Sequence, residues 1–136
     1  MSMRNSIVAA VAGLTLAAAA SHAAACGFCD EDKIAAVYDH KAVASAAARH
    51  HQVAYFSIEG NLGAGASARR ALEAMAESVK GVDKGSARAS VESASMSVAI
   101  DTVNSHYAEV ERSLKAKFAG KGLSLAKLTV ERKKGK

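Results

Sequence analysis

The sequence predicts an α+β fold in which a four-stranded antiparallel sheet carries two helices on one face, with an extra helix ahead of it. Three observations carry this. Between residues 52 and 131 the hydrophobic period alternates between two and three-to-four, in the order strand, helix, strand, strand, helix, strand. Glycine or hydroxyl-bearing residues mark each change of period. The chain of 136 residues has room for one ordinary domain plus an extension, but not for a second core.

Residues 1–25 read as a signal peptide. Arg4 supplies a short positive start, residues 7–20 are uncharged and apolar, and Ala23 and Ala25 precede Cys26 in the A-x-A manner of a cleavage site. The apolar stretch is shorter than the roughly 20 residues that a membrane-spanning helix needs. The expected location is therefore periplasmic or secreted, with no transmembrane segment in the mature chain. A cysteine directly after Ala23-Ala24-Ala25 also resembles a bacterial lipoprotein acceptor, in which case an acylated Cys26 would anchor the chain and be lost to chemistry.

Residues 26–51 hold a Cys-x-x-Cys segment and an alanine-rich helix. Asp30, Glu31 and Asp32 favour a helix start right after Cys29. Ile34, Val37, Tyr38, Ala42 and Ala46 then follow at three- and four-residue steps, which predicts one helix through Ala48. Its apolar stripe is thin because alanine buries little area. Such a helix could pack on the domain, pair with a second copy, or stay loosely attached.

From Gln52 the period is two, with Ala54, Phe56 and Ile58 on one side and Val53, Tyr55 and Ser57 on the other. A glycine-rich loop at 60–66 leads to Ser67, a suitable N-cap for a helix with the stripe Ala68, Ala71, Leu72, Met75, Ala76 and Val79, stopped by Gly81. Residues 87–93 alternate again, with Ala87, Ala89 and Val91 inward, and a short connection at 93–95 leads into Met96, Val98 and Ile100 as the second arm of a hairpin. Asn104 or Ser105 is the expected cap of a helix carrying Tyr107, Val110, Leu114 and Phe118, ending at Gly120 or Gly122. Residues 125–131 supply the last strand, with Ala126, Leu128 and Val130 expected inward.

Helical crossovers around a central hairpin give one simple solution, the ferredoxin-like βαββαβ sandwich, over residues 52–131. Here the residues resemble the heavy-metal-associated (HMA) domain family of copper chaperones and metal-pump N-termini. The resemblance lies in Ile58-Glu59-Gly60, the loop after it, Ala68-Arg69-Arg70-Ala71-Leu72, Gly81-Val82, and the alternating stretch at 87–91. It implies the fold and a metal-handling, non-enzymatic role. Members of that family carry two metal-binding cysteines in the first loop, three residues apart. The matching positions here are Gly63 and Ala66, which offer no soft ligand.

Metal or redox chemistry must then begin at Cys26 and Cys29, the only cysteines. Two thiolates three residues apart can chelate one soft ion such as Cu(I), Zn(II) or Hg(II), or close into a disulfide in an oxidising compartment. The positive end of the following helix is expected to lower their thiol pKa. Cys-Gly-x-Cys is also similar to thioredoxin-type sites, but those need a cis-proline loop and this chain has no proline. Metal binding at Cys26 and Cys29, a plain disulfide and a thiol–disulfide role stay open. One unbroken helix would put His40 about 16 Å from Cys29, too far to share an ion. His50 and His51, at the helix end, are expected to be solvated, and His106 has no visible partner.

No serine, histidine and acid pattern with recognisable context points to catalysis. Glu73 and Glu77 are expected on a wet helix face, as are Glu109 and Glu111. The loop at 60–66 lacks the lysine and spacing of a phosphate loop. Of 18 basic residues against 13 acidic ones, Arg4 falls in the signal, and Arg132, Lys133, Lys134 and Lys136 form a basic tail at 132–136. The body is thus formally neutral, and nothing interleaves aromatics with basic residues for nucleic acid. The expected partners are an envelope protein, docked on the sheet face or the first helix, or a second copy of the chain.

Overall fold

A computed structural model describes residues 29–129. The expected signal at 1–25, Cys26, Val130 and the basic tail lie outside the described residues. The elements run α1 (Asp30–Val37), α2 (His40–Ala48), β1 (Gln52–Glu59), α3 (Gly65–Glu77), β2 (Arg88–Ser90), β3 (Ser95–Ile100), α4 (Tyr107–Ala119) and β4 (Ser124–Lys127). The strands form one four-stranded antiparallel sheet in the order β2-β3-β1-β4. From β1 onward the chain is a ferredoxin-like βαββαβ sandwich.

Strict alternation builds the core on one face. Ala54, Phe56 and Ile58 of β1 and Met96, Val98 and Ile100 of β3 meet Leu72 and Ala76 of α3 and Val110, Leu114 and Phe118 of α4. In β4 the phase is opposite to that expected: Leu125, opposite Ile58, is buried and Ala126 is exposed. Leucine returns more apolar area than alanine, so Leu123 and Leu125 set the parity. Leu128 is buried beyond the strand end, where its N–H donates to the Tyr55 carbonyl at 2.8 Å.

Three boundaries also differ from the sequence reading. Helix α3 starts at Gly65 with Ala64 as N-cap, which leaves Ser67 inside the first turn. His106 rather than Asn104 or Ser105 is the N-cap of α4, and it gives no side-chain cap. Asn104 is engaged elsewhere, its amide donating to Asp101 Oδ2 at 2.9 Å. Strand β2 is cut to three residues because residues 91–94 turn back into β3.

The second face of the sheet is covered by the chain's own α1 and α2. Strand β3 is buried on both sides, with Ser95, Ser97 and Ala99 turned away from the main core. Ser95 Oγ donates to the Lys33 carbonyl at 2.9 Å and Ser97 Oγ to the Val37 carbonyl at 2.7 Å. Four helical residues rise about 6 Å and two strand residues about 6.6 Å, so hydroxyls two apart on β3 meet carbonyls four apart on α1. Val37, at the last turn, would otherwise present an orphan carbonyl. Small side chains on both surfaces let the backbones approach closely, which is how an alanine-rich helix finds enough contact to dock.

The helix expected as one unit over 30–48 is therefore two. Tyr38 and Asp39 are extended, and Asp39 Oδ1 accepts from the N–H groups of Lys41 (2.8 Å) and Ala42 (3.1 Å) to start α2. Asp39 Oδ2 accepts from Arg88 Nε at 2.8 Å, tying the break to β2. Tyr38, expected on the buried stripe, is 53% exposed because the stripe ends one residue earlier.

The same four-to-two match acts on the other face. Glu73 and Glu77, expected to be merely solvated, accept from the backbone N–H groups of Ala89 and Ala87, each at 3.1 Å. The outer edge of β2 is thereby closed to pairing with another chain. Replacing Glu73 or Glu77 by alanine should cost about 1–3 kcal/mol in urea unfolding, because a part-buried N–H loses its acceptor, and glutamine should recover much of it. Equal tolerance of alanine at both sites, within about 0.5 kcal/mol of wild type, would contradict this role.

Candidate functional site

The ends of the sheet differ in chemistry. At the apex, β1 leaves through residues 60–64, β2 turns into β3 at 91–94, and the 120–123 loop returns to β4. Gly60 exits β1 at φ +124°, and a Cβ there would lie 2.8 Å from the Gly122 carbonyl oxygen. Helix α1 runs along β3 with Lys33 at the level of Ser95 and Val37 at that of Ser97, so its start points to the apex. Cys29 is its N-cap, and the Cys29 carbonyl accepts from the Lys33 N–H at 3.0 Å. The exposed thiol thus stands at the same end as the loop where the HMA resemblance would place ligands.

That loop carries none. Gly63, at φ +74°, donates its N–H to Asn61 Oδ1 at 3.1 Å, and Ala66 is already in α3. Cys29 Sγ donates to Asp32 Oδ2 at 3.0 Å. This bond, which favours the protonated thiol, raises the Cys29 pKa despite opposing help from the backbone of Asp32. The expected lowering by the helix end is overturned, because a carboxylate within hydrogen-bond reach outweighs partial charges on N–H groups. Cys26 lies outside the described residues.

At the opposite end, His51 is bridged by two carboxylates. Its Nδ1 lies 2.7 Å from Asp83 Oδ2 and its Nε2 3.2 Å from Asp101 Oδ1, with the His51 side chain 11% exposed. Arg49 approaches Asp83 at 3.7 Å. The ring has a carboxylate at each nitrogen, so the cluster ties the α2–β1 junction to the loops after α3 and β3. His51 is thus not the solvated histidine expected from its place near a helix end, whereas His50 is exposed with φ 58°. The single-helix premise used to separate His40 from Cys29 also fails, since His40 opens α2 and is exposed. Among the described residues no group of three or more His, Cys, Asp and Glu side chains could hold a metal ion.

Two carboxyls around these joints are held below the ordinary carboxylate range. For Asp39 the Ala42 N–H is the main cause and Arg88 the next. For Asp101 it is the Asn104 side chain, then the Asn104 N–H, with His51 adding attraction. Depressed values mean that the charged forms stabilise the fold above about pH 4 and that this contribution is lost as pH falls through the lower folded-state values.

No family model matches the chain, and no curated protein does. Among solved structures it is similar to oxidized MerP from Ralstonia metallidurans CH34, with a TM-score of 0.47 and 18% identity over 58% of this chain and 99% of that one. It is also similar to the N-terminal domain of the zinc(II) ATPase ZiaA in its apo form, with a TM-score of 0.45 and 20% identity over 63% of this chain and 76% of that one. No helix among the described residues is long and apolar enough to cross a membrane.

Two outcomes test these geometries. In a Cys26→Ser background, Asp32→Asn should speed alkylation of Cys29 at neutral pH by freeing more thiolate, and an unchanged rate would remove the Asp32 bond as its cause. His51→Ala should destabilise by about 1–3 kcal/mol in urea unfolding, since it removes the short contact to the nearly buried Asp83. A loss below about 1 kcal/mol would show that Arg49 alone suffices for Asp83.

Proposed function

We propose that this is an exported, non-enzymatic ferredoxin-like protein that binds a soft transition metal, Cu(I) or Zn(II), through Cys26 and Cys29. The supporting observation is the docking of α1 along β3, which gives Cys29 a fixed, exposed position at the apex of the sheet. The donor chemistry suits a soft ion, with a solvent-facing sulfur beside a carboxylate that can accept its proton as metal displaces it. The ligands have in this reading moved from the 60–66 loop to the head of α1, at the same end of the fold. A raised thiol pKa makes the metal compete with a proton, so affinity rises with pH through the neutral range.

Two thiolates leave a tetrahedral ion short of ligands, so binding is weak in one chain or completed by a partner, either a second copy or an envelope protein. Double replacement of Cys26 and Cys29 by serine should abolish Cu(I) and Zn(II) binding by the reduced protein while leaving the unfolding midpoint in place. Intact mass checks the premise in the same sample, reporting cleavage before Cys26, any acyl chain and the state of the thiols. Retained metal affinity in the double variant would overturn the proposal.

A further inference from the structure

The formally neutral body of the chain gathers four of its cations around one cleft. Between α2 and the 84–88 segment lies a depression of about 220 Å³ lined by Lys41, Arg49, Lys84 and Arg88, with Ser45 and Gly85 between them. Like charges repel, and in a sequence with nearly balanced signs such a gathering is not an effect of composition. It begins level with the middle of β3, where Arg88 pairs with Ser97, on the base side of Cys29, and shares no side chain with the proposed metal centre.

Three of the four cations are held in place by hydrogen bonds. Arg49 donates through Nε to the Ser45 carbonyl at 3.3 Å and through a terminal nitrogen to Ser45 Oγ at 2.8 Å. Arg88 donates to Asp39 Oδ2 through Nε at 2.8 Å and to the Gly85 and Ala87 carbonyls through Nη1 at 2.9 and 2.8 Å. Lys84 donates to the Glu77 carbonyl. The two nearby carboxylates are committed within the fold, Asp39 to α2 and Arg88, Asp83 chiefly to His51. They offset part of the charge without filling the cleft. In each arginine one terminal nitrogen has no partner among the described residues, Nη1 of Arg49 and Nη2 of Arg88. Ordered guanidinium groups with donors to spare, in a cleft that Lys41 and Lys84 also line, match the geometry of a tetrahedral oxyanion.

We propose that this cleft binds a phosphate-class oxyanion, carried either by a small soluble phosphate or by the head group of an anionic lipid. Ordering of the arginines before binding lowers the entropy cost, and partial neutralisation by Asp39 and Asp83 leaves a net positive field that salt would screen.

The test titrates the full mature chain with inorganic phosphate and follows backbone amide shifts by NMR. Saturable shifts confined to Lys41, Ser45, Arg49 and residues 84–88 are expected, with affinity lowered at least about tenfold in Lys41→Gln/Lys84→Gln. Both lysines are exposed, so the fold of this variant should be unchanged. A charge-matched control, Lys115→Gln/Lys117→Gln on α4, should bind as wild type does. A second arm uses phosphatidylglycerol vesicles: co-sedimentation abolished by Lys41→Gln/Lys84→Gln assigns a lipid head group, and phosphate binding that vesicles leave unchanged assigns a soluble ligand. Shifts that fail to saturate, or equal weakening in the α4 control, would overturn the proposal.

Discussion

Four residues of helix and two residues of strand advance by nearly the same distance, and this fold uses that coincidence on both faces of its sheet. On one face Ser95 and Ser97 present hydroxyls to the carbonyls of Lys33 and Val37. On the other, Glu73 and Glu77 present carboxylates to the N–H groups of Ala89 and Ala87. Each pairing satisfies backbone groups that burial would otherwise leave costly. Together they fix how α1 and α3 slide along the sheet, and hence where the ends of those helices lie.

The functional layout follows from that register. Because α1 runs along β3 toward the base, its first residue stands at the apex, and the thiol of Cys29 comes to the end where the 60–64 loop begins α3. Because α1 stops at Val37 and Asp39 restarts the chain as α2, Arg49 and His51 arrive at the base against Asp83 and Asp101. The Cys29 thiol and the His51 cluster thereby stand at opposite ends of the sheet. A partner on the second face of the sheet would have to displace α1 and α2, so docking there competes with the contacts that hold Cys29 in position.

Much of the fold was legible. The switch between periods two and three-to-four gave the strand and helix order, and the alternation of Phe56, Met96 and Val98 gave the core face. The second face was not legible, because serine alternating with apolar residues in β3 has the same pattern as a strand wet on one side. The thin alanine stripe of the N-terminal segment left packing on the domain, pairing with a second copy and loose attachment equally open. The phase of β4 was misread because Ala126, Leu128 and Val130 alternate as well as Leu123 and Leu125 do, and leucine burial decides between them. Asp39 carried a visible signal, an N-cap residue three before Ala42, which the continuous run of helix formers hid. The thiol of Cys29 was legible as a candidate, whereas its shift was not: helix position predicts a lowered pKa, and only the rotamer that brings Sγ to Asp32 reverses it. The base cluster and the basic cleft join residues far apart in sequence, His51 to Asp101 and Asp39 to Arg88, so neither leaves a local motif.

The direct test of this account is the position of Cys29 on the sheet. A nitroxide attached to Cys29 in a Cys26→Ser background should broaden the amide signals of residues 60–64 and 91–95 most strongly, with the effect fading along β3 and sparing residues 101–104 at the base. Uniform weak broadening, or broadening strongest at the base, would mean that α1 is not docked along β3 and that the apex has no thiol.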